Sequence, residues 1–190
     1  MNTKKKIILA SNSPRRRELM AGLDLPFEVR VLEGVDESYP ADMEALEVSE
    51  YIAREKAAAY RGKTAPGEIL LTADTTVVCD GEIMGKPHDV DDARRMLSAL
   101  SGKSHQVVTG VCLVGEGREK SFSVVTEVTF KQLTSEEIDY YITQYRPFDK
   151  AGAYGIQEWI GYIGCTGLRG SYFNVMGLPV QRIYEELQDM

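Results

Sequence analysis

The sequence predicts an α/β fold, a mixed β-sheet flanked by helices, within a single domain spanning residues 1–190. Three observations carry that prediction. Short apolar strand-like runs alternate with helix start and stop signals along the chain. Some neighbouring strands are separated by a hairpin turn and others by a whole helix, so antiparallel and parallel pairs share the sheet. The chain has 190 residues, 43% hydrophobic and 27% charged, enough for one substantial core, and it shows no repeat, linker or low-complexity tract.

The elements follow in order. Ile7-Ile8-Leu9-Ala10 is a short apolar run suited to a buried strand. Ser11-Asn12-Ser13 then leads to Pro14, which opens a helix through Gly22. Serine at the N-cap and proline at the first helical position are start signals, and glycine is a stop. Residues 27–32 read as a strand, residues 33–44 as an acidic loop and residues 45–60 as a helix. Residues 69–79 are strand-like and end at Asp80-Gly81, a hairpin signal. Residues 90–100 form a helix. Residues 107–114 and 122–132 read as long antiparallel strands around Gly115-Glu116-Gly117. Thr134-Ser135-Glu136-Glu137 is a capping box that starts a helix to Tyr145. Residues 146–174, rich in glycine and aromatics, predict short strands and turns, and Gly177-Leu178-Pro179 opens the last helix.

Charge narrows the partners. With 22 basic and 29 acidic residues the net charge is -7, which disfavours general nucleic-acid binding. The distribution is uneven. Residues 1–30 hold seven basic and three acidic side chains, net +4, and residues 31–60 hold two and eight, net -6. Positive charge gathered in one short segment of an acidic chain fits local use on a small anion. The apolar run after the basic start is too short for a secretory signal, and no stretch approaches the ~20 apolar residues of a membrane span. Three scattered cysteines, Cys79, Cys112 and Cys165, with two isolated histidines, His88 and His105, give neither a disulfide framework nor a zinc cluster. A soluble cytoplasmic protein is expected.

Several side chains stand out against their surroundings. Strand, then Ser11-Asn12-Ser13-Pro14-Arg15-Arg16-Arg17, then helix aims backbone N–H groups at an anion, with Arg15 and Arg16 suited to phosphate oxygens. A capped surface helix with solvated arginines is the plain alternative. However, three arginines in a first turn oppose the helix dipole and call for an anion or carboxylate partners. Lys56 falls on the apolar stripe of Ala45, Val48, Ile52 and Ala59, where it must either snorkel to water or meet an anion. Asp74 interrupts an apolar strand, which is costly unless the carboxylate is paired or binds metal. Taken singly, Lys86 reads as a surface lysine and Glu37 as a solvated acid. There is no nucleophile elbow and no Cys-His pair. Carboxylate, lysine, arginine and a divalent metal are a kit for phosphate chemistry.

Eight segments in order now carry a resemblance. They are Ala10-Ser11-Asn12-Ser13-Pro14-Arg15-Arg16, Val35-Asp36-Glu37, Ala53-Arg54-Glu55-Lys56-Ala57, Ala73-Asp74-Thr75-Thr76-Val77-Val78, Gly85-Lys86-Pro87, His105-Gln106-Val107-Val108-Thr109-Gly110, residues 149–157 and residues 170–179. The chain resembles the Maf family of nucleoside triphosphate pyrophosphatases over nearly its whole length. That resemblance implies a Maf/inosine-triphosphatase-like fold, an elongated curved mixed sheet with two lobes and a cleft, and a homodimer. It implies hydrolysis of a nucleoside triphosphate to monophosphate and pyrophosphate with Mg²⁺ or Mn²⁺. The family's proton acceptor falls on Asp74, with Lys56 and Lys86 as catalytic partners. The substrate-binding positions fall on Ser11, Arg15, Arg16, Thr75 and Gln157, and the metal positions on Glu37 and Asp74. The segment ending in Gln157 looks like the subgroup acting on dTTP and UTP, although Glu158-Trp159 stands where that subgroup commonly has glycine. The alternatives are a Maf-type enzyme of other base preference such as 7-methyl-GTP, a nucleotidyltransferase, or a non-catalytic nucleotide-binding regulator of division.

Overall fold

Ile7, Ile8 and Leu9 are fully buried because their strand lies between two parallel neighbours, covered on both faces. The computed structural model describes residues 5–190, so Lys4 of the basic start lies outside the described residues. The elements in chain order are β1 (Lys6–Leu9), α1 (Pro14–Ala21), β2 (Phe27–Val29), α2 (Val48–Ala58), β3 (Glu68–Cys79), β4 (Glu82–Met84) and α3 (Val90–Leu100). They continue as β5 (Ser104–Gly115), β6 (Arg118–Phe130), α4 (Ser135–Tyr145), a 3₁₀ turn (Ala151–Ala153), α5 (Trp159–Gly164), β7 (Cys165–Arg169), α6 (Tyr172–Met176) and α7 (Val180–Gln188).

The predicted mixed sheet is present. Its order is β2-β1-β3-β5-β6-β7, with β4 paired to β3. β1 runs parallel to β2 and β3, whereas β3–β4 and β6–β7 are antiparallel. Asp80 and Gly81 both adopt positive φ, 51° and 81°, as a two-residue hairpin turn of matching twist requires.

The chain divides into two compact units, and β3, β5 and β6 supply residues to both. The first unit holds the residues up to Asp74 with Thr109–Val124 and Gly177–Met190; the second holds Thr75–Val108 and Val125–Met176. In the first, Ile8, Leu70 and Cys112 of the sheet pack with Ala53, Ala57 and Tyr60 of and beside α2. Burial raises the Cys112 thiol to about 12. α2 sits very close to β5: a Cβ on Gly110 would lie 2.2 Å from the Glu50 nitrogen and 2.3 Å from the Ser49 carbonyl. Only glycine admits this approach. In the second unit, α3 and α4 cover the sheet with Leu97, Leu100, Ile138 and Tyr141 around Phe130 and Val128.

Several segments depart from the sequence reading. β2 ends at Val29 rather than at residue 32, and β6 runs over Arg118–Phe130 rather than residues 122–132. α2 begins at Val48 rather than at residue 45, because residues 44–47 close a turn in which the Glu47 N–H donates to the Glu44 carbonyl at 2.9 Å. Residues 146–174 contain the short helices α5 and α6 as well as strand β7. Helices of six and five residues are too short to show a helical period.

Candidate active site

In the first unit the loop after β1 caps α1 as its sequence requires. The Ser13 side chain accepts the Arg16 N–H at 3.4 Å, and buried Ser11 accepts the Ser13 N–H at 3.2 Å. The arginines behind this cap find partners that the sequence does not reveal. Arg17 turns back to the Ser11 carbonyl and to Asn12 Oδ1, at 3.4 and 3.2 Å. Arg16 donates Nε to the Gly177 carbonyl and Nη1 to the Ala73 carbonyl, both at 2.8 Å. Arg16 therefore ties the loop to the residue before Asp74 and to the turn ahead of α7. Loss of water lowers its pKa, and the neighbouring carboxylate of Asp74 opposes that shift. Arg15 lies half-buried in the same first turn.

Asp74 and Lys56 meet for a periodic reason. In β3, Thr72 and Asp74 share one face, and Thr72 donates to the Ala53 carbonyl of α2 at 2.6 Å. Lys56 lies one helical turn beyond Ala53, and so reaches the next residue on that face. Its Nζ is 2.8 Å from Asp74 Oδ1 and 2.9 Å from Glu37 Oε1. Lys56 and Asp74 are 14% and 15% exposed, whereas Glu37 is 52% exposed, so the Asp74 contact is the desolvated one. Glu37 stands in a loop shaped by Asp36, which accepts the Ser38 N–H at 2.9 Å and the Ser38 hydroxyl at 2.8 Å. Two carboxylates thus converge on one cation.

That convergence is the donor chemistry of a hard divalent ion, which takes one or two carboxylates and completes its shell with water and phosphate oxygen. Among the described residues no group of three or more His, Cys, Asp or Glu side chains gathers to hold a metal. A metal here would rest on Asp74 and Glu37 and draw its other oxygens from ligand and solvent.

Thr75 follows Asp74 on the opposite face of β3 and belongs to the second unit. There Lys86 is exposed after β4. The Gly152 N–H donates to the Gly85 carbonyl at 3.0 Å, so the 149–157 segment is docked to the Lys86 turn. Gln157 is half-buried, and its Oε1 is buried without a hydrogen-bond partner. Next to it the Glu158 carboxylate accepts the Tyr141 hydroxyl and lies 3.1 Å from Lys150 Nζ. The first unit thus brings Ser11, Arg16, Glu37, Lys56 and Asp74 into one connected neighbourhood, and the second groups Lys86 with the Gln157 segment.

An α/β sheet carrying a capped arginine loop, a lysine and converging carboxylates defines a phosphate-handling class of protein. The family model described as Maf-like protein matches residues 6–190, and the chain belongs to that family. A relative in Phocaeicola vulgatus named dTTP/UTP pyrophosphatase is 63% identical over 187 residues, covering 98% of this chain and 97% of its own. One in Bacteroides thetaiotaomicron with the same name is 57% identical over the same shares. Among solved structures, a HAM1 protein from Coxiella burnetii aligns over 98% of this chain and 100% of its own. Its TM-score is 0.52 at 15% identity, a likeness of fold alone.

Sequence reasoning missed Tyr141, Lys150 and the ties made by Arg16. The departure at Glu158 was the one legible signal of the first two.

Proposed function

We infer that this chain hydrolyses nucleoside triphosphates, dTTP and UTP foremost, to the monophosphate and pyrophosphate, with a divalent metal. The observation that carries the reading is Asp74, a carboxylate in an apolar strand, drawn with Glu37 onto Lys56. The full-length likeness to relatives named dTTP/UTP pyrophosphatase supports the substrate. Arg15 and Lys86 bind phosphate oxygens, joined by the helix N-terminus behind Ser11 and Ser13. Arg16 adds its charge while holding the loop in place. Asp74 takes a proton from the attacking water, whose oxygen bonds to the α-phosphorus as the bond to the bridging oxygen breaks. Pyrophosphate leaves, and the cations balance the charge it gains. Mg²⁺ or Mn²⁺ on Asp74 and Glu37, when bound, supplies Lewis acidity at a phosphate oxygen. Thr75 and Gln157 contact the base.

Among the described residues no helix is long and apolar enough to cross a membrane, and Cys79, Cys112 and Cys165 are free thiols. The free thiols support a cytoplasmic setting, and a homodimer is the working form that the family resemblance implies.

A pyrophosphate-release screen over dTTP, UTP, dCTP, CTP, ATP, GTP and 7-methyl-GTP, with Mg²⁺, Mn²⁺ or a chelator, tests the reading. Metal-dependent release from dTTP and UTP is expected. Release only when a sugar phosphate or alcohol acceptor is added would make the protein a nucleotidyltransferase. Release from no substrate would sink the enzymatic reading.

A further inference from the structure

Thr72 is a polar side chain inside an apolar layer of the first unit. It is fully buried in β3, between the buried Leu71 and Ala73. Alternation along the strand puts Leu70, Thr72 and Asp74 on one face. Around Thr72 that layer packs Ile8, Leu70 and Cys112 against Ala53, Ala57 and Tyr60. A hydroxyl in such a place is costly unless it finds a partner, whereas a valine of the same shape would not be.

The hydroxyl donates to the Ala53 carbonyl of α2 at 2.6 Å, and the Cys112 carbonyl of β5 lies farther off, at 3.4 Å. A carbonyl inside a helix already accepts the N–H four residues on, so Ala53 is satisfied without Thr72. What the bond adds is a directional link between helix and strand. Branching at Cβ restricts χ1 of a threonine, which fixes where its hydroxyl points. The other contacts of α2 constrain its position along its own axis less sharply. At its first turn the helix lies backbone to backbone on Gly110, with no side chain between them to interlock. Apolar contact is non-directional, and Ala53 and Ala57 each present one methyl group. Just beyond α2, the Tyr60 hydroxyl accepts the Leu32 N–H and donates to the Arg30 carbonyl, both at 2.9 Å. That ties the end of the helix to the chain leaving β2, not to β3.

The link matters at the next step along both elements. Lys56 follows Ala53 by one helical turn, and Asp74 follows Thr72 on the same strand face. Lys56 Nζ must reach Asp74 Oδ1 at 2.8 Å and Glu37 Oε1 at 2.9 Å together. A slip of α2 by one residue would carry Lys56 about 1.5 Å along the axis and turn it by about 100°. A lysine stem can follow one carboxylate through a smaller shift. It cannot keep both, because Asp74 stands on β3 and Glu37 on a loop.

We propose that Thr72 is a positioning residue: its hydroxyl, bonded to the Ala53 carbonyl, sets the register of α2 on β3 and so holds Lys56 against Asp74. This rests on the reading of Lys56 and Asp74 as parts of a pyrophosphatase site. Thr72 itself touches no substrate. Its effect reaches the chemistry only through the place it gives to Lys56. The hydroxyl, not the bulk of the side chain, carries the role, and that separates it from ordinary core packing. Loss of the methyl group alone leaves the register intact, and loss of the hydroxyl alone releases it.

The test compares the full chain with T72V, T72S and T72A. T72V keeps the shape and removes the hydroxyl, T72S keeps the hydroxyl and removes the methyl, and T72A differs from T72S by the hydroxyl alone. Two quantities are measured, with thermal melts as the control for folding. One is kcat/KM for pyrophosphate release from dTTP. The other is the rate at which acetic anhydride acylates Lys56, read by mass spectrometry relative to Lys103 of the second unit. Acylation needs the lone pair of the amine, so a lysine held between two carboxylates reacts slowly. T72V and T72A are expected to lose about tenfold in kcat/KM, the scale of a sub-ångström misplacement, with T72S within about threefold of wild type. Lys56 should react about fivefold faster in T72V and T72A, as for partial loss of one charged hydrogen bond, and at the wild-type rate in T72S. A core-packing role predicts the opposite order, with T72V near wild type and T72S impaired. A folded T72V in which Lys56 reacts at the wild-type rate would overturn the proposal whatever its turnover. If T72V does not fold, equal rates in T72A and T72S would overturn it. A wild-type chain that releases no pyrophosphate from dTTP or UTP would count against the proposed function, and the Lys56 rates would still decide whether Thr72 places that side chain.

Discussion

Replacing Arg16 with lysine separates two roles that an arginine in a phosphate site can hold. The substitution keeps the charge and removes the fork. Arg16 sends Nε to the Gly177 carbonyl and Nη1 to the Ala73 carbonyl, each at 2.8 Å, and one ammonium on a flexible stem cannot reproduce both. Hydrogen bonds from a charged donor contribute about 1.5–3 kcal/mol each, so losing one makes R16K about 2 kcal/mol less stable. For a chain of this length that corresponds to a melting temperature lower by about 4–8 °C. The Ala73 carbonyl immediately precedes Asp74, so the loosened anchor also lets the carboxylate drift. A displacement near 1 Å costs on the order of 100-fold in rate. The assay is a thermal melt beside steady-state pyrophosphate release from dTTP, with R15K as the control from the same helical turn. A purely electrostatic Arg16 predicts the reverse, an unchanged melt with kcat nearly intact. R16K melting within about 2 °C of wild type, with kcat within about threefold, would refute the positioning argument.

Other outcomes follow from the same geometry. D74N should lower kcat by about 10³-fold while the chain stays folded, as expected for losing a proton acceptor; near-wild-type turnover would remove Asp74 from the chemistry. His105 gives a pH signature. It is 2% exposed, its Nε2 is 2.7 Å from the Tyr154 hydroxyl, and burial lowers its pKa to about 4. The unfolded chain takes up the proton near pH 6.5 and the folded chain does not, so stability is full above pH 6.5 and falls toward pH 4. Between pH 7 and pH 5 the loss is about 2 kcal/mol. H105Q should flatten that slope, and an equal loss of melting temperature in both proteins would show that His105 titrates freely.

How far the sequence could be read depends on the distance over which each signal acts. The cap at Ser13, Pro14 at the helix start, the Asp80-Gly81 turn and the capping box at Thr134 are local, and each falls where expected. Lys56 and Asp74 were legible as anomalies, a cation on an apolar stripe and a carboxylate in an apolar strand. Their pairing with each other was not, because it depends on α2 crossing β3 in one register. Residues 146–174 failed for another reason. α5 contains Gly161 and spans only six residues, so its helicity comes from Ile160 entering the core rather than from propensity. The acceptors of Arg16 are backbone carbonyls 57 and 161 residues away, and a carbonyl leaves no trace in residue identity.

The charge pattern gains a physical meaning from Lys56. Arg16 and Lys56 balance Glu37 and Asp74 in formal charge, so the net positive charge beside them comes from Arg15 and Arg17 of the same helical turn. Arrangement adds to that charge. An ammonium has three donors, and Lys56 directs two of them to Asp74 and Glu37. One remains for a phosphate oxygen. Lys56 can therefore bridge the carboxylates that would hold a metal and the phosphates that arrive with it, without either carboxylate facing a phosphate directly. At Lys56 a free polyanion would meet two carboxylates and one spare donor. A divalent ion held by Asp74 and Glu37 would satisfy both carboxylates and leave Lys56 to the phosphates. Cooperation between metal and nucleotide would then follow from one lysine placed against the sign of its own acidic segment.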